Sequence, residues 1–245
     1  MDGQIEKSLA SLKSRHINGI YAESTEEARQ EILTLIPTEA VVGIGDSTTI
    51  RQMGIPEALK KRGTKVLDAY DRHEAYTDAR ELEERRARIV KEATICDVFL
   101  TGTNALTQDG RLVNADASGN RVAGMFWGHP ISVIVVGRNK IVRDLDEAFH
   151  RIRHVIAPNH ARIRTVELGG RERNTPCVAT GECTDCRATD RICNIFTIIE
   201  GKPRRTDIHV VIVNEDLGLG WDASWPQDRM MSIRENYKGY VWIPK

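Results

Sequence analysis

Apolar positions recur along the chain in two alternating rhythms, one with a helical period of about 3.6 and one of short unbroken runs that suit buried strands. Ile5, Leu9 and Leu12 share a helical face within residues 4–16, and a short apolar segment, residues 19–22, follows. Ser24 with Glu27 three residues on has capping-box spacing. It opens a helix whose Ala28, Ile32, Leu35 and Ile36 face one way until Pro37 stops it. The pattern then predicts a strand over 40–44, a helix over 47–53, and a second helix with Pro56 in its first turn that ends near Gly63. A strand over 65–69 comes next. Residues 78–93 form a charged helix with a narrow stripe at Leu82, Ile89 and Val90 and with Glu81–Arg85 and Glu84–Arg88 at i,i+4 spacing, a solvated face. Strands are expected over 97–100, 131–136, 195–199 and 208–213, helices over 118–125 and 145–156, and a hairpin turn at Gln108, Asp109 and Gly110.

Strands alternating with helices favour an α/β fold, a mainly parallel open sheet flanked by helices. Residues 167–191 break the rhythm with glycine, proline, cysteine and charge. The organisation expected is therefore a single domain over 1–245 with a cysteine-bearing insertion at about 167–194.

Composition narrows the function classes. The chain has 245 residues with 35 basic and 35 acidic side chains, a formal net charge of zero. That balance argues against nucleic acid or an anionic membrane surface as the main partner. No apolar run approaches the roughly 20 residues that span a bilayer, so membrane insertion is not expected. The charged first residues lack an apolar signal core, which points to the cytoplasm. A homo-oligomer is the default expectation for a soluble chain of this class.

Three groups of residues could carry chemistry. In the first, Gly43, Ile44, Gly45, Asp46, Ser47, Thr48 and Thr49 run from a strand through a glycine turn into hydroxyls at a helix start. Free N–H groups and hydroxyls there can bind an anion, and glycine lets the backbone approach it. The competing reading is a tight turn with Ser47 or Thr48 as N-cap. The second group has Thr103 and Asn104 in one turn and Asn114, Asp116, Gly119, Asn120 and Arg121 in another, both at strand ends where open α/β sheets bind ligands. Asp116 is the candidate acid or base, Asn104 and Asn120 are orienting amides, and Arg121 is an anion clamp. Equally, Asp116 and Ser118 could cap a helix while Asn114 and Asn120 satisfy turns.

The third is C-x5-C-x2-C-x6-C, formed by Cys177, Cys183, Cys186 and Cys193. Four thiolates on one polar insertion can converge on a tetrahedral zinc or on a [4Fe–4S] cluster. Two disulfides would need an oxidising compartment, which nothing else in the chain marks. Six arginines from Arg151 to Arg173 stand against Glu167 and Glu172, and read as a solvated face, as charge compensation for the thiolates, or as a docking surface. His73, His129 and His209 are scattered, Cys96 suits a buried strand start, and Trp221 and Trp225 flank a turn that suits a packed lid.

The stretch 97–142, DVFLTGTNALTQDGRLVNADASGNRVAGMFWGHPISVIVVGRNKIV, resembles the lactate-utilisation (LUD) domain family. The glycine and hydroxyl turn at 43–49 matches that family, and NTPCVATGECTDCRATDRICN resembles the cysteine segment of its short members. The resemblance implies a fold similar to the sugar-phosphate isomerase/CoA-transferase-like superfamily and a link to oxidation of lactate to pyruvate beside iron–sulfur redox partner proteins. That context tips the four-cysteine centre from zinc toward [4Fe–4S].

Three functions stay open at this level. The first is a redox-associated protein of lactate or 2-hydroxy-acid utilisation that binds an anionic metabolite and a four-cysteine metal or iron–sulfur centre. The second is an isomerase, ligase or transferase on a phosphorylated or CoA-linked substrate, with structural zinc. The third is a non-enzymatic docking module for a redox partner. Whether the chain is itself an enzyme is left open.

Overall fold

In the computed structural model, which describes residues 2–71 and 78–243, the strands predicted over 40–44, 65–69, 97–100, 131–136 and 208–213 meet in one sheet, joined by the apolar segment 19–22. Its members are β1 (Asn18–Ala22), β2 (Val41–Ile44), β3 (Lys65–Asp68), β4 (Val98–Gly102), β7 (Ile131–Gly137) and β10 (Asp207–Val213). They lie side by side in the order β1-β10-β7-β4-β2-β3, every pair parallel. Such a sheet must be covered on both faces, which is why β7 is apolar on both. Val133 and Val135 turn to one side, and Ile134 and Val136 to the other.

The first side is covered by α2 (Thr25–Leu35), α3 (Thr48–Gln52) and α4 (Ile55–Lys61), through Ala28, Ile32, Ile50, Ile55 and Leu59. Ser24 caps α2 as the spacing predicts, its Oγ accepting from the Glu27 N–H, while the Glu27 carboxylate reaches back past the N-cap to the N–H of Glu23. The other side is covered by α1 (Gly3–Ser14), by α6 (Asn120–Gly124), and by a small second sheet.

That second sheet, in the order β8-β5-β6-β9, joins β5 (Ala105–Thr107), β6 (Leu112–Asp116), β8 (Ile141–Val142) and β9 (Ile195–Ile199). The predicted turn at 108–110 closes the β5–β6 hairpin, with Gly110 at φ +86° donating its N–H to the Thr107 carbonyl. The sheet departs from expectation at 195–199. This run is an edge strand antiparallel to β6, with Ile195 and Ile198 exposed, not a core strand. An apolar run alone cannot distinguish a central strand from an edge whose outer face lies open.

Over the second sheet lie α7 (Leu145–Arg151), a π-helical turn (Ile152–Ile156), α8 (Ala157–Arg162), a second π-helical turn (Ile163–Glu167) and α10 (Gln227–Tyr240). The helix predicted over 145–156 therefore runs on to Glu167. Pro158 cannot donate to the preceding turn and would crowd its carbonyls, and the wider π turn before it absorbs that mismatch. The charged α5 (Ala79–Ala93), capped by Asp78, carries Arg80–Glu84 and Arg88–Glu92 pairs on its open face. The residues after Glu167 hold only α9 (Pro176–Thr180) as regular structure before β9 begins. His73 lies outside the described residues.

Candidate functional site

Parallel strands all deliver their C-terminal ends to the same edge, and a cavity opens there, as expected for an open α/β sheet. It holds about 430 Å³. Asp46, Ser47, Thr48 and Thr49 enter it just beyond β2, Thr103 and Asn104 beyond β4, Lys140 beyond β7, and Gly218 on the chain that follows β10. The long π-interrupted helix adds His160 and Arg164, α10 adds Tyr237, and Cys193 brings the cysteine segment to its rim.

The glycine turn works differently from an anion cradle. Ser47 is the N-cap of α3, its Oγ accepting from the Ile50 N–H at 3.4 Å. Gly43 and Gly45 do not line the cavity. A Cβ on Gly43 would come within 2.3 Å of the Ala93 carbonyl oxygen and 2.8 Å of Cys96 Sγ. One on Gly45 would come within 2.8 Å of Thr101 Oγ1. Both glycines thus permit close packing behind the site. Asp46 accepts from both terminal nitrogens of Arg51 at 3.0 Å. Burial works to raise its carboxyl, but Arg51 and then Arg164 outweigh that and hold it below the usual range.

The residues 114–121 form a closed polar brace. Asp116 Oδ1 accepts from the N–H groups of Ser118 (3.0 Å) and Gly119 (2.8 Å), and Oδ2 lies 3.6 Å from Arg121 Nε. Arg121 spends its terminal nitrogens on the carbonyls of Gly102 and Ala115 and on the side-chain oxygens of Asn114 and Asn104. Asn114 and Gly119 sit behind the cavity wall, whereas Asp116, Asn120 and Arg121 border it. Asn120 donates to the Tyr70 hydroxyl at 3.3 Å. The donors of Arg121, read from sequence as an anion clamp, are thus already engaged by the protein.

Sequence reasoning passed over the most unusual groups. Lys140 is only 6% exposed, and its Nζ donates to Thr49 Oγ1 and to the Thr103 carbonyl, both at 3.0 Å. Among the described residues no carboxylate lies within salt-bridge distance of it. Burial, reinforced by Arg121, pulls its pKa down to about 7. His160 stands between Tyr237 and Arg164. An arginine can only donate, so Nε2 accepts and the ring proton sits on Nδ1, facing the Tyr237 hydroxyl. Burial and then Arg164 push His160 down to about 3, so it is neutral at physiological pH. The signal that could have found Lys140 was its place just past the clearest core strand, where a lysine has no solvated face to occupy.

Arg164, Arg171 and Arg173 also line the cavity, and none of them pairs with a carboxylate among the described residues. Burial, then repulsion from Arg164, lowers the pKa of Arg173. None of the three makes a salt bridge among the described residues, although the charges of Asp46 and Asp190 act on Arg164 and Arg173, and three guanidinium groups so placed make this wall attractive to an anion.

The family model of the LUD domain matches residues 5–213. The chain belongs to the LUD domain family. This ties the protein to a family associated with lactate utilisation, in agreement with the resemblance read from 97–142. No curated protein matches the chain. Among solved structures, a DUF162 family protein from Deinococcus radiodurans is similar at 16% identity, over 86% of this chain and 94% of that one, with a TM-score of 0.43. Ribose 5 phosphate isomerase A from Neisseria gonorrhoeae is similar at 16% identity, over 59% and 65% of the two chains, with a TM-score of 0.32. The fold description of this LUD domain rests on its own strand order.

The four cysteines of this LUD domain test the implied centre. Cys177, Cys183, Cys186 and Cys193 are all half-buried free thiols. Burial raises the Cys177 thiol against a hydrogen bond from Thr175, and the charges of Cys186, Cys193 and Cys183 raise it further. Arg191 donates to the carbonyls of Cys186 and Cys193 and lies 3.6 Å from Cys193 Sγ. The donor chemistry fits a thiolate-bound centre. Among the described residues, however, no three metal-ligating side chains stand together as a coordination shell, so the segment would have to draw in around an ion. No helix among the described residues is long and apolar enough to cross a membrane.

Proposed function

We propose that this LUD domain binds a small anionic metabolite of lactate utilisation, a 2-hydroxy acid or its oxidised counterpart, in the cavity at the strand ends. The single observation that carries the reading is the wall of Arg164, Arg171 and Arg173, three cavity-lining guanidinium groups of which none makes a salt bridge among the described residues. A carboxylate ligand would supply the acceptors that the fold leaves out.

At the rim, Cys177, Cys183, Cys186 and Cys193 would hold a metal or iron–sulfur centre, a [4Fe–4S] cluster ahead of zinc. Their spacing, their shared electrostatic environment and the Arg191 donor beside Cys193 support this assignment. Such a cluster would supply one-electron transfer. Asp116 is a weaker choice for acid or base, since both of its oxygens are engaged by the protein.

Titration calorimetry with lactate, pyruvate and inorganic phosphate tests the cavity reading. Replacing Arg164 or Arg173 by Gln should weaken binding about tenfold or more, the usual scale for a charge-assisted hydrogen bond. Wild-type protein that binds none of these anions, or arginine variants that bind as tightly as wild type, would reject the reading.

A further inference from the structure

Lys140 has two acceptors, Thr49 Oγ1 and the Thr103 carbonyl oxygen, each 3.0 Å from Nζ. A neutral amine satisfies both with its two N–H bonds and keeps a lone pair for a third direction. The residue lines the same cavity as the unpaired arginines. Nothing among the described residues neutralises an ammonium there. The charged group acting on it is Arg121, in α6, whose repulsion adds to burial. Thr49 from α3, Thr103 beyond β4 and the Gly218 backbone, which pack around Nζ, carry no charge. Gly218 itself is shaped to this amine: at φ +68°, a Cβ there would come within 2.6 Å of Nζ. A buried lysine held neutral by its surroundings is the amine that enzymes use to attack carbonyl carbon.

We infer that Lys140 is a nucleophile that captures the carbonyl group of an acidic oxo compound bound in the cavity, as an imine. This inference rests on the cavity being the ligand site proposed above, and adds the ligand's second functional group and the residue that meets it. In the capture step the Nζ lone pair bonds to the carbonyl carbon while the carbonyl π pair moves to oxygen, which takes up a proton, giving a carbinolamine. The nitrogen pair then expels that oxygen as water, with the nitrogen's proton balancing the loss, and a C=N bond replaces C=O. No oxidant or reductant is consumed. The cationic wall would hold the acidic group, a carboxylate or a phosphate.

Reductive trapping tests this directly. The purified full chain is incubated near pH 7 with sodium cyanoborohydride and either pyruvate or dihydroxyacetone phosphate, and peptide masses locate the reduced adduct. The result expected is a saturable adduct at Lys140 with one of the two probes, formed at least about a hundredfold faster than at an exposed lysine such as Lys91. That ratio follows because burial leaves Lys140, titrating at about 7, a far larger neutral fraction than a free lysine side chain has in water. The probe trapped tells a carboxylate carrier from a phosphate carrier. Lactate, which has no carbonyl, should slow capture of pyruvate without forming an adduct. Ligand binding is read in parallel by NMR shifts of the cavity residues. Binding without an adduct at Lys140 overturns the inference and leaves the cavity reading standing, whereas no binding and no adduct overturns both. Lys140→Arg controls for folding: a folded variant that still gives the cavity adduct would also reject Lys140 as the nucleophile.

Discussion

Oδ2 of Asp116 lies 3.6 Å from Nε of Arg121, and this buried pair holds the cavity wall together instead of presenting free groups to a ligand. Arg121 ties the end of β4, the Asn104 turn, β6 and α6 through four acceptors. Removing one member of such a pair strands the other charge in the interior. Arg121→Met should therefore lower stability by about 3–5 kcal/mol in urea denaturation. Asp116→Asn keeps an oxygen for the Ser118 and Gly119 N–H groups but leaves the Arg121 charge without its partner, and should cost about 3 kcal/mol. If the Asn variant instead lost turnover or ligand binding at unchanged stability, Asp116 would regain the acid/base role that its surroundings argue against.

The glycine turn makes a similar distinction. A side chain on Gly43 meets the Ala93 carbonyl oxygen at 2.3 Å, and backbone cannot step aside as a flexible side-chain tip can. Gly43→Ala should push β2 away from the C-terminal end of α5, at a cost of roughly 3 kcal/mol or somewhat more. Thermal melting checks this. A variant that melted like wild type but bound anions poorly would restore the turn as an anion cradle.

How much of this could be read from the chain depends on what kind of residue carries the signal. The parallel strands were legible because Val133, Ile134, Val135 and Val136 are apolar on both faces, and the caps at Ser24 and Ser47 because capping is local. The second sheet was only half legible: the hairpin turn at Gly110 announces itself, but the two-residue β8 is too short to have a period, and β9 copies a core strand while sitting at an edge. The 114–121 segment reaches the cavity through Asp116, Asn120 and Arg121, yet its side chains face one another, which no spacing rule reports. Lys140, His160 and Arg164 were missed for the opposite reason. They are burial-dependent: a lysine or histidine looks ordinary in sequence, and only the fold removes its solvent and its counter-charge.

His160 should make the protein acid-sensitive. Its folded pKa, about 3, lies below the 6.5 of an ordinary imidazole, so between these pH values the unfolded chain binds more protons. Its contribution to stability is therefore full above about pH 6.5 and is lost as pH falls toward 3. Denaturation midpoints at pH 7 and pH 4 for wild type and His160→Gln isolate this from the carboxylates, which both proteins share. The variant should lose less stability across that interval, by on the order of 2 kcal/mol. Equal losses would mean that His160 is charged in the folded state, contrary to its place beside Arg164.

The cysteine segment makes a prediction with a visible readout. If the four thiolates hold a [4Fe–4S] cluster, anaerobically purified protein should be brown and contain iron and acid-labile sulfide. Cys186→Ser and Cys193→Ser should each bleach it. A colourless protein with one zinc would leave the ligand set intact and remove electron transfer, and a colourless protein without metal would remove the centre altogether. Binding of the metal should also protect residues 168–194 from proteolysis, since α9 is the only regular element there among the described residues.

Lys140 should act on stability in the reverse direction from an ordinary ion-paired lysine. With a folded pKa of about 7 against the 10.5 of an ordinary lysine, the unfolded chain binds the extra proton throughout that window, so stability rises with pH across it. Below about pH 7 the fold must hold an ammonium that lacks a carboxylate. Lys140→Met removes that burden and fills similar space, so it should melt higher than wild type at pH 6, and the gap should close as pH climbs from 7 toward 10.5. If Lys140→Met is instead destabilised at pH 6, the amine is a structural donor to Thr49 and the Thr103 carbonyl, charged in the fold and satisfied there. Its neutrality at physiological pH would then be lost, and with it the premise of carbonyl capture.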